Sequence, residues 1–424
     1  MKHFLLTPGK NPSQSSVFWN MLSSGLNSIV SIILLLFVTR IVGPSDAGVF
    51  SLGFSTAQMM LTIGNYGMRN YQATDVKNKY SLGTYLASRI ITSCGMILFT
   101  CLFLVYKNYY PEKSFIILLL VILKVTDAFD DLYGGYYQGK ERLDISGKIM
   151  FFRVLLYSTG FIICLILTKN VVASIIVAIV LSSAYLTWMV FLTKDAFTLS
   201  RPKFQIPLLK QLLVECLPLC IGSFLLIYIG NAPKYAIDAF MSDKMQAYYT
   251  YIFMPCFVIN LFVGFALQPM LVHLSVMWSQ NRRKDFLKMV SKIFGCALLI
   301  SALIIIAGRF FGCPLLSWLF GVNLSSYTLD LTTLLIGGAF FSFAVIGQVI
   351  LTIMRKQYAL LWGFGIASLL VTVISPVLVK KSGLLGASLA YTISSGVLFI
   401  IICGFIFFYY KKTLKNSSDE FSIQ

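Results

Sequence analysis

The sequence predicts an all-α polytopic membrane protein, with about twelve transmembrane helices in two six-span halves. Three observations carry this. Apolar residues make up 58% of the 424-residue chain and charged residues only 12%, whereas ordinary soluble domains have roughly a quarter of their residues charged. Apolar runs of about 20 residues recur from end to end, each long enough to cross a hydrocarbon core of ~30 Å as a helix. A basic connection at 194–210 falls midway through the series. No stretch remains for a soluble catalytic domain.

The spans follow from apolar runs read against charged or Pro/Gly breaks. The opening MKHFLLTPGKNPSQSS has too short an apolar run before Pro8 and Gly9 to be a cleavable signal peptide. The first half is then 16–39, 46–68, 82–105, 114–137, 147–168 and 171–193. Its breaks include RIVGPSD, the polar run RNYQATDVKNKY, KNYYPEK, QGKERLD and KN. After the basic linker come 211–235, 246–270, 289–309, 326–353, 358–379 and 385–409, broken by SDKM, SQNRRKD, the stretch 310–325, RKQ and KKSG. Pro218 and Pro233 in the seventh span, and Pro255 and Pro269 in the eighth, predict kinks.

An even span count puts both termini on one side. That side collects most of the Lys and Arg: Lys2 and Lys10, Arg69, Lys77 and Lys79, Lys140, Arg142 and Lys148, Arg355 and Lys356, and all the basic residues of 194–210, 279–292 and the C-terminal tail. The opposite side has Arg40, Lys107, Lys113, Lys169, Lys244, Arg309, Lys380 and Lys381. Cytoplasmic loops are the Lys/Arg-rich ones, so the termini are predicted to be cytoplasmic. The net charge of +18 is then a topology signal, and no nucleic-acid partner is expected. The nine cysteines sit mostly inside apolar runs and read as small buried hydrophobes. With only His3 and His273 and no CxxC pair, no metal site and no cofactor are expected.

Chemistry concentrates where ionisable residues enter the spans, because each costs about 2.5–3.5 kcal/mol at membrane depth unless paired or hydrated. The fourth span, LLLVILKVTDAFDDLY, is the densest case. Lys124, Asp127 and Asp131 fall within roughly 60° of one another on a helix, with Asp130 about 60° further round. One reading is an internal Lys124–Asp127 pair, with Asp130 and Asp131 hydrated near the cytoplasmic end. The other brings in Arg89, roughly 12 Å into the third span, and Arg153, roughly 9 Å into the fifth, as partners lining a hydrated cavity for an anionic ligand. Both arginines could instead snorkel to the headgroups. Asn20, Ser24, Asn27 and Ser31 form one stripe of the first span, read as close helix packing or as a polar lining. In the seventh span Glu215 lies near the cytoplasmic end, and Lys234 and Asp238 stand at i, i+4, a pairing distance.

Three stretches resemble a known family: FVTRIVGPSDAGVFSLG at 37–53, YYQGKERLDISG at 136–147, and GNAPKYAIDAFMSDKMQAYYTYIFMPCFVINLFVGFALQPML at 230–271. Over nearly its whole length the chain resembles the polysaccharide (Wzx-type) flippases of the multidrug/oligosaccharidyl-lipid/polysaccharide exporter superfamily. The resemblance implies two six-helix lobes, 1–193 and 211–424, joined by the linker 194–210, in a V around a cationic central cavity. It implies alternating-access transfer of an undecaprenyl-pyrophosphate-linked oligosaccharide across the bacterial cytoplasmic membrane for O-antigen or capsule. Arg89, Lys124, Arg153 and Lys234 would hold pyrophosphate or sugar. Asp127, Asp130, Asp131 and Asp238 would balance charge or couple a proton or sodium ion. The partners implied are the lipid-linked oligosaccharide, membrane lipids and polymerase machinery. The competing readings are a cation-coupled multidrug antiporter of the same superfamily, which favours acidic cavity residues, and a membrane glycan polymerase or ligase. An enzyme would need a larger outer loop or an acid/base cluster, and the longest outer connection, 310–325, holds neither carboxylate nor His.

Overall fold

A bilayer offers no water to backbone amides, so a spanning chain must pair them internally, and helices do this segment by segment. The computed structural model describes residues 2–7, 12–74, 79–194, 196–197, 200–267 and 270–421, and among these all regular secondary structure is helical. Pro8, Gly9, Lys10, Lys77 and Pro269 lie outside the described residues. The helices are α1 (Lys2–Leu6), α2 (Pro12–Ile41), α3 (Pro44–Asn65), α4 (Met68–Thr74), α5 (Leu82–Lys107), α6 (Pro111–Gly139), α7 (Leu143–Thr168) and α8 (Val171–Thr193). They continue as α9 (Ile206–Phe240), α10 (Asp243–Leu267), α11 (Leu271–Ser279), α12 (Arg283–Ala307), α13 (Cys313–Phe320), α14 (Thr328–Ile353) and α15 (Gln357–Phe421).

Among the described residues ten helices are long and apolar enough to cross a membrane. Two of the twelve expected spans are not counted separately, for physical reasons. α6 has the length, 29 residues, but carries Lys124, Asp127, Asp130 and Asp131 in its C-terminal half. α15 holds two spans, divided at Gly383, whose φ of 59° and ψ of −132° break the helical path. Each of the twelve expected spans therefore has a helix over most of its described residues.

Local chemistry sets the helix ends. α3 and α6 begin with proline in their first turn, where a missing N–H is harmless. Ser81 caps α5 by accepting a 3.2 Å bond from the Thr84 amide, and Asn170 caps α8 through the Ala173 amide at 3.0 Å. α3, α5 and α7 close at Tyr66, Asn108 and Lys169 in left-handed conformation. One expectation fails. The stretch 310–325, read as an outer loop, is mostly helical: a π-helical turn at Gly308–Gly312 carries α12 into α13, and a 3₁₀ turn follows at Ser325–Tyr327. α9 runs on as one helix past Pro218 and Pro233, and α10 contains Pro255.

The chain divides into two compact units, Met1–Phe224 and Leu225–Gln424, with the division inside α9. In the first unit α2 lies along α7, α3 along α6, α5 against both α3 and α6, and α8 against α7 and α6. The beginning of α9 also belongs here: Leu212 and Cys216 are buried with Met68, Tyr80, Leu82, Tyr85, Leu86 and Leu132. In the second unit α14 lies along α15 and touches α10 and α12. A close backbone approach of α7 to α2 is made possible by Gly147, where an added Cβ would stand 2.6 Å from the carbonyl carbon of Trp19. The neighbour there is backbone, which cannot swing away. Gly147→Val is therefore expected to destabilise the first unit by about 1–3 kcal/mol, the usual range for overpacking. Thermal melting of the detergent-solubilised protein should show the fall, while Gly95→Ala, where a Cβ meets nothing within 4 Å, should leave it unchanged.

Candidate functional site

The charges of α6 meet partners on every helix packed around that segment. Lys124 Nζ donates to Asp127 Oδ2 at 2.6 Å and lies 4.7 Å from the Phe54 ring centroid on α3, a cation–π distance. The other oxygen of Asp127 is 2.7 Å from Arg153 Nη1 on α7, an ionic contact outside hydrogen-bond geometry. Arg153 donates from Nε and Nη2 to Asp130 Oδ2, at 3.2 and 3.0 Å. Its Nη1 also donates to Ser182 Oγ on α8 at 2.9 Å and Thr126 Oγ1 at 3.2 Å. One guanidinium on α7 thus spans two carboxylates and two hydroxyls from α6 and α8.

One turn further along α6, the charge faces the other way. Arg89, on α5, donates from Nη2 to Asp131 Oδ2 at 3.0 Å and from Nη1 to the Gly64 carbonyl at 2.7 Å and Asn65 Oδ1 at 3.2 Å. Thr92 Oγ1 donates to the same carbonyl at 2.8 Å, and Arg89 Nε is buried without a hydrogen-bond partner. Arg69, on α4, reaches Asp131 Oδ1 from Nη1 at 3.4 Å. Side-chain exposure is 0% for Arg89 and 1% for Arg153, so neither snorkels.

The expected site residues of the first half are therefore brought together. Lys124 pairs with Asp127 as the i, i+3 spacing predicts. Two expectations change. Asp130 is not hydrated: its side chain is 7% exposed and held by Arg153. The single charged face is in fact divided, with Asp127 and Asp130 toward α7 and α8 and Asp131 toward α5 and α4. Lys234 and Asp238 belong to the second unit. Lys234 is buried, with Nζ 5.4 Å from the Phe253 ring centroid, and Asp238 is half-buried.

Sequence reading missed Arg69 as a member of the cluster, because at a span end it counted as topology charge. It also missed Thr126 and Ser182, whose residue types carry no signal of a guanidinium nearby. A second polar centre forms around Glu215 at the start of α9. Its carboxylate accepts from Lys79 Nζ at 2.7 Å, Tyr71 Oη at 2.5 Å, Tyr80 Oη at 3.0 Å and Gln211 Nε2 at 3.1 Å. Holding the Tyr71 proton against this carboxylate pushes the phenol up to about 12, and the same carboxylate raises Lys79 above its ordinary value. A groove of about 380 Å³ between α6 and α8, lined by Thr126, Phe129, Tyr133, Ser183 and Thr187 among others, runs past the hydroxyl that binds Arg153.

Residues 14–275 match the sequence profile of a family described as polysaccharide biosynthesis protein. The chain belongs to this family. It is 21% identical over 390 residues to the capsular polysaccharide biosynthesis protein CapF of Staphylococcus aureus, covering 91% of this chain and 96% of that one. Among solved structures it is similar to an inward-facing multidrug resistance MATE family transporter of the MOP superfamily, with a TM-score of 0.72 at 13% identity over 92% of this chain and 96% of that one. It is also similar to a MOP superfamily transporter from Pyrococcus furiosus noted for the reversed polarity of its binding pocket, with a TM-score of 0.60 at 12% identity over 97% and 98%. At such identities the likeness establishes the fold. This member of the polysaccharide biosynthesis family is a multi-pass membrane protein with a MATE-like transporter fold.

Because Arg153 serves two buried carboxylates, removing it strands Asp130 and leaves Asp127 with Lys124 alone. Arg153→Met is expected to destabilise this family member by about 3–5 kcal/mol, the range for breaking one side of a buried ion pair. Adding Asp130→Asn should recover part of that loss, since the contacting side chains are coupled. Melting of the single and double variants in detergent checks both expectations.

Proposed function

We propose that the protein is a flippase that carries an undecaprenyl-pyrophosphate-linked oligosaccharide from the cytoplasmic to the outer leaflet of a bacterial cytoplasmic membrane, for capsule or related surface polysaccharide. The observation that carries this reading is the polysaccharide biosynthesis match across 14–275 on a MATE-like transporter fold. The relative named for capsular polysaccharide biosynthesis points the same way. Both termini are assigned to the cytoplasm on the Lys/Arg distribution. Transport, and not polymerisation or ligation, is the activity.

The chemistry of the cluster suits that task. Guanidinium and ammonium groups recognise phosphate oxygens, arginine with two parallel donors, and Arg89, Lys124, Arg153 and Lys234 are assigned to the diphosphate and the first sugars. In the conformation seen here the three buried cations of the α6 cluster, Arg89, Lys124 and Arg153, face three carboxylates. An arriving diphosphate must therefore take cations away from aspartates. A carboxylate so released in a low-dielectric site favours a proton or a sodium ion, which gives Asp127, Asp130 and Asp131 the coupling role, with Asp238 in the second unit.

The direct test is complementation of a strain lacking its flippase, with surface polysaccharide read by immunoblot at matched membrane levels. The wild type should restore surface glycan, and Lys124→Ala, Asp127→Ala and Arg89→Ala should each reduce it at least tenfold. Wild-type activity in all three variants would remove the α6 cluster from the transport path. Failure of the wild type alongside export of a cationic dye would replace the flippase by an antiporter.

A further inference from the structure

The ion cluster has one exposed end. Lys124, Arg153 and Arg89 match Asp127, Asp130 and Asp131 charge for charge, and Arg69 adds a further positive charge. Asp131, the one carboxylate it reaches among the described residues, gives its shorter contact to Arg89, 3.0 Å against 3.4 Å. The second contact of Arg69, from Nε to Gln138 Oε1, is also 3.4 Å. Both lie beyond the usual range for strong hydrogen bonds. The Arg69 side chain is 29% exposed, whereas that of Arg89 is fully buried.

Beside it on α4, both amide atoms of Gln72 are buried without a hydrogen-bond partner among the described residues, a state that folded proteins rarely tolerate. The recess that admits these two side chains is made by Gly134 and Gly135 of α6. A Cβ at Gly134 would stand 3.3 Å from Arg69 Nη1, and one at Gly135 would stand 2.7 Å from Gln72 Oε1. A loosely held guanidinium, an unsatisfied amide donor and a surplus of positive charge thus meet in one partly open recess.

We propose that Arg69 and Gln72, seated over Gly134–Gly135, form a docking station for a phosphate oxyanion, which receives the substrate diphosphate before it passes to the buried cations. The assignment rests on the flippase reading, which places this end of α6 in the cytoplasm. Docking here leaves no carboxylate without a cation: Asp131 gives up its long contact to Arg69 but keeps Arg89, while Arg69 exchanges two long contacts for a pair of charge-assisted ones and Gln72 Nε2 gains an acceptor. At Arg153 the same anion would meet Asp127 and Asp130 at once.

The test uses the full chain in phosphatidylcholine nanodiscs, with binding of inorganic pyrophosphate and of undecaprenyl pyrophosphate measured by microscale thermophoresis. Arg69→Gln should weaken both at least tenfold, Arg69→Lys less, and Gln72→Ala several-fold. Gln72→Ala touches no ion pair, so it guards against a folding defect in Arg69→Gln. Wild-type affinity in both Arg69→Gln and Gln72→Ala, or no pyrophosphate binding by the wild type, overturns the station. Displacement of pyrophosphate by adding phosphatidylglycerol to the discs would give the recess to a lipid headgroup and overturn its assignment to substrate. Arg69-dependent pyrophosphate binding by a protein that fails to restore surface glycan would leave the station standing and remove the flippase.

Discussion

Everything in the first unit is arranged around one constraint: α6 carries three carboxylates where a membrane helix should carry none, and each must find a cation without reaching water. Arg153 resolves two of them. Its guanidinium is wide enough to face Asp127 and Asp130 together and still donate to Ser182 and Thr126. A lysine has the charge but neither the width nor the fixed fork of donors. The packing follows from this choice. α7 must bring Arg153 against α6, and α8 must bring Ser182 to the same point, so these three helices form one layer whose register is set by polar contacts. In a membrane, where apolar contacts between helices gain little over lipid, such contacts are an effective means of fixing register.

The second half of the cluster obeys a different economy. Arg89 is satisfied mostly by backbone and amide oxygens at the end of α3, Gly64 and Asn65, and by one carboxylate. α3 ends there because Tyr66 turns left-handed, and a carbonyl in the last turn of a helix has no intrahelical donor. A buried arginine and an unsatisfied helix terminus therefore complete one another. The same termination sends the chain into α4, which brings Arg69, Gln72 and Tyr71 to the ends of α6 and α9. A single helix stop thus positions both Asp131 partners and one of the donors to Glu215.

Much of this was legible in the sequence, and the parts that were not have identifiable causes. The spans were readable because membrane helices must be apolar over a fixed length, and each predicted run has a helix over most of its described residues. Lys124, Asp127, Arg89 and Arg153 stood out because charge in such runs is rare. What periodicity could not give was the direction in which each aspartate points relative to its neighbours. Angular spacing on α6 placed Asp127 and Asp131 together, but α7 lies nearer Asp127 and Asp130, and α5 nearer Asp131. Arg69 was hidden by position, since an arginine at a span end is normally a topology residue, and only the left turn at Tyr66 folds it back onto α6. The stretch 310–325 misled for a related reason: FFGCPLLSWLF is apolar enough to be helical, but it holds a glycine and a proline; the π-helical turn takes in Gly312, and Pro314 sits in the first turn of α13, where its missing N–H is harmless.

The charge arithmetic bears on how a diphosphate could be carried. A permanently vacant set of buried arginines would be costly to hold in the membrane, and a set locked to aspartates would have nothing to offer an anion. The arrangement seen here lies between these limits. The buried cations are matched to carboxylates, which keeps the unloaded protein stable, and the surplus charge sits on Arg69 at the partly exposed end. Under the proposed function, the anion first meets the cation that is least committed. Each deeper step then exchanges one carboxylate partner for a phosphate oxygen, so the number of charge-assisted contacts changes little along the way. Such an exchange needs the released aspartates to be neutralised in turn, and the protein could not complete it by conformational change alone. Under the proposed function, ion coupling would follow from how the buried charge is stored, and the aspartates that stabilise the resting cluster would be the groups on which the coupling ion acts.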